Sequence, residues 1–150
     1  IVLSGGNSSI INNSADRKRN RINNLVYKFA LKKKIKIMGI CHGAHFLSKK
    51  FNFIIERKAN HVGNHKIIIN LNKTKSYKTV NSYHNETIKF TKTKNVNVFA
   101  IAEDNTVEAF HIKNRKILGI MWHPERYKKI KNFDKKLIKE FYATNRIVCR

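Results

Sequence analysis

Apolar residues fall into short runs typical of strands and, in two longer segments, recur at helical spacing. The strand-like runs are residues 1–3, 35–40, 53–55, 66–69, 96–102, 107–112 and 116–121. The helical segments extend from Ser14 or Ala15 to about Lys34 and from Phe133 to Tyr142. Helices that alternate with buried strands in this way predict an α/β fold around a mostly parallel open sheet.

The first helical segment is expected to be a crossover helix, because it joins the run at 1–3 to the run at 35–40 and so makes those two strands parallel. Its apolar positions are Ile22, Leu25, Val26, Phe29 and Ala30. Near the other end of the chain, two short polar turns separate the last three runs and predict an antiparallel meander. A hairpin or small side sheet is expected around residues 61–65.

The run at 35–40 leads directly into Cys41, which stands between Gly39 and Gly43. A helix is expected to begin near Gly43, so the cysteine occupies a sharp strand-to-helix turn of the kind that exposes a nucleophile. A thiol at a helix N-terminus is expected to have a lowered pKa, because the unpaired N–H groups and the helix dipole stabilise the thiolate. Cys41 is therefore the candidate nucleophile, and the alternative is a small buried apolar residue.

Two further glycines follow the first strand, in the segment Ser4-Gly5-Gly6-Asn7. Open α/β sheets bind ligands at the carboxyl ends of their strands, which is where this turn is expected to lie. Its N–H groups can point at an oxyanion. Taken alone, the segment favours an ordinary tight turn.

The candidate base follows the last strand, in the segment Met121-Trp122-His123-Pro124-Glu125. Pro124 ends the strand and keeps the backbone extended, so the side chains of His123 and Glu125 project to the same side. A carboxylate bonded to one ring nitrogen leaves the other nitrogen free to take the proton of a thiol. A surface turn with a strand-capping histidine is the alternative, and the coincidence with the Cys41 elbow favours the catalytic interpretation.

Composition limits the kinds of protein that the chain can be. Its 150 residues suit one domain, and 32 Lys and Arg residues against 9 Asp and Glu residues give a net charge of +23. The charge is mostly lysine amid abundant Asn and Ile, without a nucleic-acid-binding motif, so a nucleic-acid partner is not expected but an anionic substrate is compatible. With two cysteines and no long apolar run, a cytoplasmic protein without a membrane segment is expected.

Six histidines outside the candidate base raise the question of a metal site. They are His42, His45, His61, His65, His84 and His111. They are scattered along the chain, and neither a C-x-x-C nor an H-E-x-x-H spacing is present. The sequence therefore predicts no metal and no cofactor.

Five motifs occur in the order found in class I glutamine amidotransferase-like domains. They are residues 4–6, 39–43, 81–84, 108–110 and 122–126, which read SGG, GICHG, NSYH, EAF and WHPER. Over essentially its whole length the chain most resembles the γ-glutamyl hydrolase branch, peptidase family C26. The resemblance implies a three-layer, flavodoxin-like open sheet with an antiparallel extension. It also implies attack on a γ-glutamyl amide through a glutamyl thioester.

By motif position, the resemblance implies a catalytic triad of Cys41, His123 and Glu125. The oxyanion donors would be the backbone N–H groups of His42 and Gly6. The resemblance further implies that the substrate is bound by Asn7, His45, Ser82, Tyr83 and His84. Many relatives carry glutamine at the position of His45, which faces the substrate.

The family also begins with strand, helix and strand elements that precede the Ser4-Gly5-Gly6 turn, and these are absent here. Residues 1–150 are expected to form a single domain, and either the sequence is an N-terminally truncated fragment or the sheet lacks these inner strands. Such a sheet would expose a parallel edge that proteins usually cover.

The expected function is cytoplasmic hydrolysis of a small-molecule γ-glutamyl amide. One alternative is a glutaminase subunit that passes ammonia to a separate synthetase, and another is a hydrolase of a γ-glutamyl nucleotide amidate used in cell-surface sugar modification. A catalytically inactive polyanion-binding scaffold is the alternative from outside the enzymes.

Overall fold

The computed structural model describes residues 1–6, 15–58, 61–71, 74–90, 95–144 and 147. The predicted substrate-binding residue Asn7 and the second cysteine, Cys149, lie outside the described residues. The strands are β1 (Val2–Leu3), β2 (Ile37–Ile40), β3 (Ile54–Arg57), β4 (Val62–Leu71), β5 (Thr74–Tyr83), β6 (Glu86–Lys89), β7 (Val96–Ala102), β8 (Val107–Ile112) and β9 (Ile117–Ile120). The helices are α1 (Ala15–Lys32), α2 (His42–Lys49) and α3 (Asn132–Thr144).

The centre of the fold is a parallel unit of β1, β2 and β9. Val2 pairs with Met38 and Gly39 pairs with Gly119, so both neighbours of β2 run in its direction. Helix α1 is the predicted crossover between β1 and β2. The carboxyl ends of β2 and β9 consequently meet at one edge of the sheet, which is where the segments after these strands carry their polar side chains.

The rest of the sheet is antiparallel and continues in the order β9-β8-β7-β4-β5, with β6 paired to β8 and to β3. The predicted meander of β7, β8 and β9 is confirmed. Residues 103–106 and 113–116 connect these strands and are too few for a crossover, which is why the pairs are antiparallel. The open α/β fold with an antiparallel extension is thus confirmed. Among the described strands parallel pairs join only β1, β2 and β9, so the extension is larger than expected.

The hairpin expected around residues 61–65 is wrong. Residues 62–65 lie inside β4, which pairs with β5 along its whole length from Val62 opposite Tyr83 to Leu71 opposite Thr74. Strand β3 pairs with β6 instead. The polar start of β4 resembles a turn in sequence because this part of the strand is largely exposed and does not need alternating apolar residues.

Helices cover both faces of the sheet and create the predicted three layers. Ala30 of α1 and Leu47 of α2 pack with Phe110 in one buried cluster. Leu137 and Phe141 of α3 pack in a second cluster on the opposite face. Burial on both faces explains why β2 and β9 are almost continuously apolar.

The apolar face predicted for α1 is only partly buried. Ala30 is fully buried, whereas Ile22, Leu25 and Phe29 are 60%, 63% and 53% exposed. The helix therefore presents an apolar stripe beside its buried side. No helix among the described residues combines the length and apolar character needed to cross a bilayer.

Candidate active site

Cys41 forms the sharp turn between β2 and α2. Its backbone has φ 46° and ψ −104°, in the left-handed half of conformational space that non-glycine residues rarely occupy. The strain is held by hydrogen bonds on both sides: the Cys41 N–H donates to the Ile120 carbonyl at 2.8 Å, and the Cys41 carbonyl accepts from the His45 N–H at 2.9 Å. This is the geometry of a nucleophile elbow.

The two glycines around Cys41 allow helix and strands to approach closely. A Cβ atom on Gly39 would lie 2.5 Å from the carbonyl carbon of Gly43. A Cβ atom on Gly43 would lie 2.1 Å from the carbonyl oxygen of Leu3. Both contacts are with backbone atoms that cannot rotate away, so each position requires glycine for packing.

Replacing Gly43 by alanine is expected to lower the free energy of unfolding by about 3 kcal/mol, at the upper end of overpacking effects. The loss should appear although alanine favours a helix by about 1 kcal/mol over glycine. Urea denaturation of the folded variant measures it. Gly63→Ala is the control, because Gly63 has φ 109° but open space around its Cβ position. A loss in Gly43→Ala no larger than that in Gly63→Ala would mean that the overlap with Leu3 costs no more than alanine at a positive φ.

The expected lowering of the Cys41 pKa is wrong. Burial raises the pKa of this thiol to about 11, and the hydrogen bond from the His42 backbone N–H opposes that rise only in part. Cys41 is only 4% exposed. The cost of removing water from a thiolate therefore exceeds the stabilisation that the N-terminus of α2 gives it. Cys41 is consequently a thiol in the resting protein.

Alkylation of Cys41 is therefore expected to rise about tenfold for each pH unit from pH 7 to about pH 10, because only the thiolate reacts. At pH 8 a pKa of about 11 leaves about one molecule in a thousand as thiolate. Iodoacetamide labelling followed by mass spectrometry, in a Cys149→Ser background, gives the rate. A fast rate that does not change between pH 6 and 8 would instead reveal a thiolate already paired with an imidazolium.

His123 follows β9, the parallel neighbour of β2, and is 1% exposed. Its Nδ1–H donates to Glu125 Oε1 at 2.6 Å, so the expected contact forms. The extended backbone expected around Pro124 is wrong, because residues Pro124–Arg126 form a turn of 3₁₀ helix. Among the described residues, His123 Nε2 has no hydrogen-bond partner. With Nδ1 as the donor, Nε2 carries the lone pair of the neutral ring.

Asn81, near the end of β5, holds the backbone of His123 at two points. Its Oδ1 accepts from the His123 N–H at 2.9 Å, and its Nδ2 donates to the His123 carbonyl at 2.9 Å. The N–H of Asn81 itself donates to the Tyr127 hydroxyl. This pair of bonds, here called the Asn81 clamp, was not predicted, although Asn81 begins one of the five sequence motifs.

The first glycine turn lies against the same histidine. A Cβ atom on Gly5 would be 2.6 Å from Cε1 of His123, and one on Gly6 would overlap the guanidinium of Arg19. Arg19 of α1 donates to the Gly5 carbonyl at 2.7 Å and to Ser4 Oγ at 3.0 Å. The turn is thus fixed between helix α1 and the His123 ring.

The remaining predicted substrate-binding residues differ in their surroundings. Tyr83 is half exposed, its ring centroid lies 5.3 Å from that of His123, and the Arg126 guanidinium lies 4.3 Å from the Tyr83 centroid. His45 and His84 are buried, and both bond the Glu86 carbonyl oxygen.

The buried predicted residues are occupied with the protein itself. Burial lowers the pKa of both His45 and His84 to about 3, so both rings are neutral. Ser82 is 1% exposed and its hydroxyl donates to the His61 carbonyl. Among the described residues predicted to bind substrate, only Tyr83 therefore presents substantial surface to solvent.

Sequence relatives agree with this architecture. The family model described as glutamine amidotransferase class-I matches residues 1–144, a range that includes the elbow, the glycine turn and the segment from His123 to Glu125. A γ-glutamyl-CDP-amidate hydrolase of Campylobacter jejuni is 36% identical over 145 residues, which cover 95% of this chain and 69% of that protein. Sequence similarity thus extends over nearly the whole chain.

Solved structures share the fold at lower identity. A protein of Thermoplasma acidophilum described as a subunit of GMP synthase superposes with a TM-score of 0.73 at 24% identity, over 95% of this chain and 70% of that one. A glutamine amidotransferase of Thermotoga maritima superposes with a TM-score of 0.66 at 19% identity, over 83% of this chain and 56% of that one. The predicted resemblance is confirmed, and the chain belongs to the class-I glutamine amidotransferase family.

Proposed function

We propose that this protein hydrolyses γ-glutamyl amides with Cys41 as nucleophile, His123 as general base and acid, and Glu125 as the group that orients the histidine. The observation that carries the proposal is the bond between His123 Nδ1 and Glu125 Oε1, 2.6 Å long, at the end of the strand beside the Cys41 elbow. Glu125 fixes the tautomer in which Nε2 can accept a proton.

The first half-reaction transfers the glutamyl group to the enzyme. His123 Nε2 takes the Cys41 proton as the sulfur attacks the γ-carbonyl carbon, and the carbonyl oxygen becomes an oxyanion. The backbone N–H groups of His42 and Gly6 are the proposed donors to that oxyanion. When the tetrahedral intermediate collapses, the C–N bond breaks, the imidazolium protonates the leaving nitrogen, and a glutamyl thioester remains on Cys41.

The second half-reaction releases glutamate. His123 removes a proton from water as the water oxygen attacks the thioester carbon. The C–S bond then breaks, and the imidazolium returns its proton to the Cys41 sulfur, which restores the starting state. Because burial raises the thiol pKa, attack and deprotonation must be coupled, and the base is needed in every turnover.

The prediction of an enzyme in the hydrolase class is confirmed by the family and by the Campylobacter hydrolase. That relative acts on a γ-glutamyl-CDP-amidate, which supports a γ-glutamyl amide as the substrate here. The glutaminase alternative, with ammonia passed to a separate synthetase, is supported by the family model and by the fold shared with the Thermoplasma protein. The inactive-scaffold alternative does not account for the bond between His123 and Glu125.

One observation favours a nucleotide amidate among γ-glutamyl amides. The exposed ring of Tyr83 contacts both the His123 ring and the Arg126 guanidinium, beside the candidate base. An aromatic face can stack on a nucleobase, and a guanidinium binds phosphate oxygens in a bidentate manner. A leaving group that carries a nucleobase and a diphosphate would contact both the Tyr83 ring and the Arg126 guanidinium.

The experiment compares kcat/KM for glutamine, simple γ-glutamyl amines and γ-glutamyl-CDP-amidate, with glutamate release as the common readout. The amidate is expected to be the best of the three. Arg126→Ala should lower kcat/KM for the amidate by about tenfold to a hundredfold, and leave the simple amines nearly unchanged. Release of glutamate from none of the three would refute the proposal, and a preference for glutamine would favour the glutaminase alternative.

A further inference from the structure

Beside the elbow lies a group of buried ionisable side chains that the proposed reaction does not use. It consists of Glu108 on β8, His61 directly before β4, His65 in β4, and His84 after β5, and is called the Glu108 cluster below. The side chain of Glu108 is 1% exposed, and those of His61 and His84 are 6% and 4% exposed. The fold thus removes a carboxylate and two imidazoles almost completely from water.

The Glu108 cluster lacks the hydrogen bonds that buried polar groups normally form. Among the described residues, neither carboxylate oxygen of Glu108 has a well-aligned hydrogen bond, and the same holds for His61 Nδ1 and His84 Nε2. His65 Nε2 lies 3.2 Å from Glu108 Oε1 but is not aligned for a hydrogen bond, and burying an ionised carboxylate with incomplete pairing costs several kcal/mol. A cation bound among these atoms would remove that cost.

Neighbouring groups orient the two imidazoles toward Glu108. His84 Nδ1 donates to the Glu86 carbonyl at 2.8 Å, which leaves the lone pair of the neutral ring on Nε2. His61 Nε2 donates to Asp104 Oδ2 at 2.8 Å, which leaves the lone pair on Nδ1. A carboxylate or carbonyl that accepts from the far nitrogen is the usual support of a metal-binding histidine.

The distances suit one small metal ion. His61 Nδ1 and His84 Nε2 each lie 3.9 Å from Glu108 Oε1, and a ligand atom of each of the three residues lies within 4.8 Å of the others. Tetrahedral zinc with bonds of about 2.0–2.1 Å places its ligands about 3.3 Å apart. Small side-chain rotations therefore close the site around these three ligands, while His65 Nε2 lies 3.2 Å from the same oxygen but outside the group of three.

We propose that the Glu108 cluster binds one divalent transition-metal ion, with zinc as the best match to two imidazoles and a carboxylate. Hard cations such as magnesium prefer oxygen donors and fit this set poorly. The ion would join β4, the end of β5 and β8 next to the elbow. A cavity of about 330 Å³, lined among others by His61, His65 and Asp104, lies beside the cluster. The sequence predicted no metal because its ligands come from distant segments.

The test begins with untagged protein, stripped with a chelator and titrated with Co²⁺ and with Zn²⁺. One equivalent should bind, the Co²⁺ form should show the intense visible absorption of a four-coordinate site, and zinc should raise the melting temperature. Zinc could instead bind the Cys41 sulfur, so Cys41→Ser is measured alongside. Binding that disappears in Cys41→Ser would overturn the proposal, as would the absence of stoichiometric binding.

Variants then locate the ion. Asp104→Asn should weaken zinc binding about tenfold to a hundredfold, because the amide donates to His61 Nε2 and moves the proton onto Nδ1. Glu108→Gln should abolish stoichiometric binding. If that variant does not fold, the zinc affinity of Asp104→Asn still tests the assignment, because Asp104 is partly exposed. His111→Asn is the matched control, since it changes another buried histidine on β8 and should retain full affinity. Unchanged affinity in Asp104→Asn, or an equal loss in His111→Asn, would contradict the assignment.

Discussion

Cys41→Ser is expected to reduce turnover of the best γ-glutamyl amide by about 10⁴-fold or more, while the fold stays intact. Serine keeps the strained elbow and its two backbone hydrogen bonds, but an alkoxide is far harder to generate than a thiolate. The loss should therefore appear in kcat rather than in KM. Single-turnover glutamate release, together with urea denaturation to verify stability, provides the measurement.

The same variant separates the thioester route from direct attack by water. Acid-quenched wild-type protein in steady state should carry a glutamyl adduct on Cys41, visible in the intact mass, and Cys41→Ser should carry none at that position. If the serine variant kept full turnover, the covalent mechanism would be wrong, whatever the substrate.

His123→Asn is expected to be at least as damaging as Cys41→Ser, and Glu125→Gln to cost on the order of a thousandfold. Asparagine at position 123 keeps the backbone that the Asn81 clamp holds but cannot take the thiol proton. Glutamine at position 125 donates to Nδ1, so the ring proton moves to Nε2 and the base is blocked in the wrong tautomer. Steady-state kinetics on one substrate gives the ranking.

The order of these effects is the informative result. Glu125 is 48% exposed at its side chain, whereas His123 is 1% exposed, so Glu125→Gln should leave the unfolding free energy almost unchanged. A larger kinetic loss in Glu125→Gln than in His123→Asn would mean that the carboxylate is itself the base. The roles assigned to the two residues would then be exchanged.

Local patterns predicted the parts of the molecule that depend on neighbours in sequence. The meander of β7, β8 and β9 follows from apolar runs and short polar turns, and the elbow follows from a strand, two glycines and a cysteine. The contact of His123 with Glu125 was also expected, although from an extended backbone where the chain forms a 3₁₀ turn. Each of these features is determined by residues that lie close together along the chain.

Features set by distant segments were missed or mistaken. The pKa of Cys41 depends on how completely the folded chain excludes water from the thiol, which no local pattern states. The Glu108 cluster requires the register of β4 against β5 and the pairing of β8 with its neighbours to bring His61, His84 and Glu108 together. The polar start of β4 resembled a turn because an exposed strand carries no apolar alternation that would distinguish it from one.

The Asn81 clamp has a consequence for the exchange of backbone hydrogens with solvent. His123 lies beyond the last residue of β9, where an amide would ordinarily exchange rapidly with water. Its N–H is instead held by a side chain that is itself anchored in the ten-residue ladder of β4 and β5. The amide of His123 should consequently exchange no faster than those of the ladder, and Asn81→Ala should release it alone.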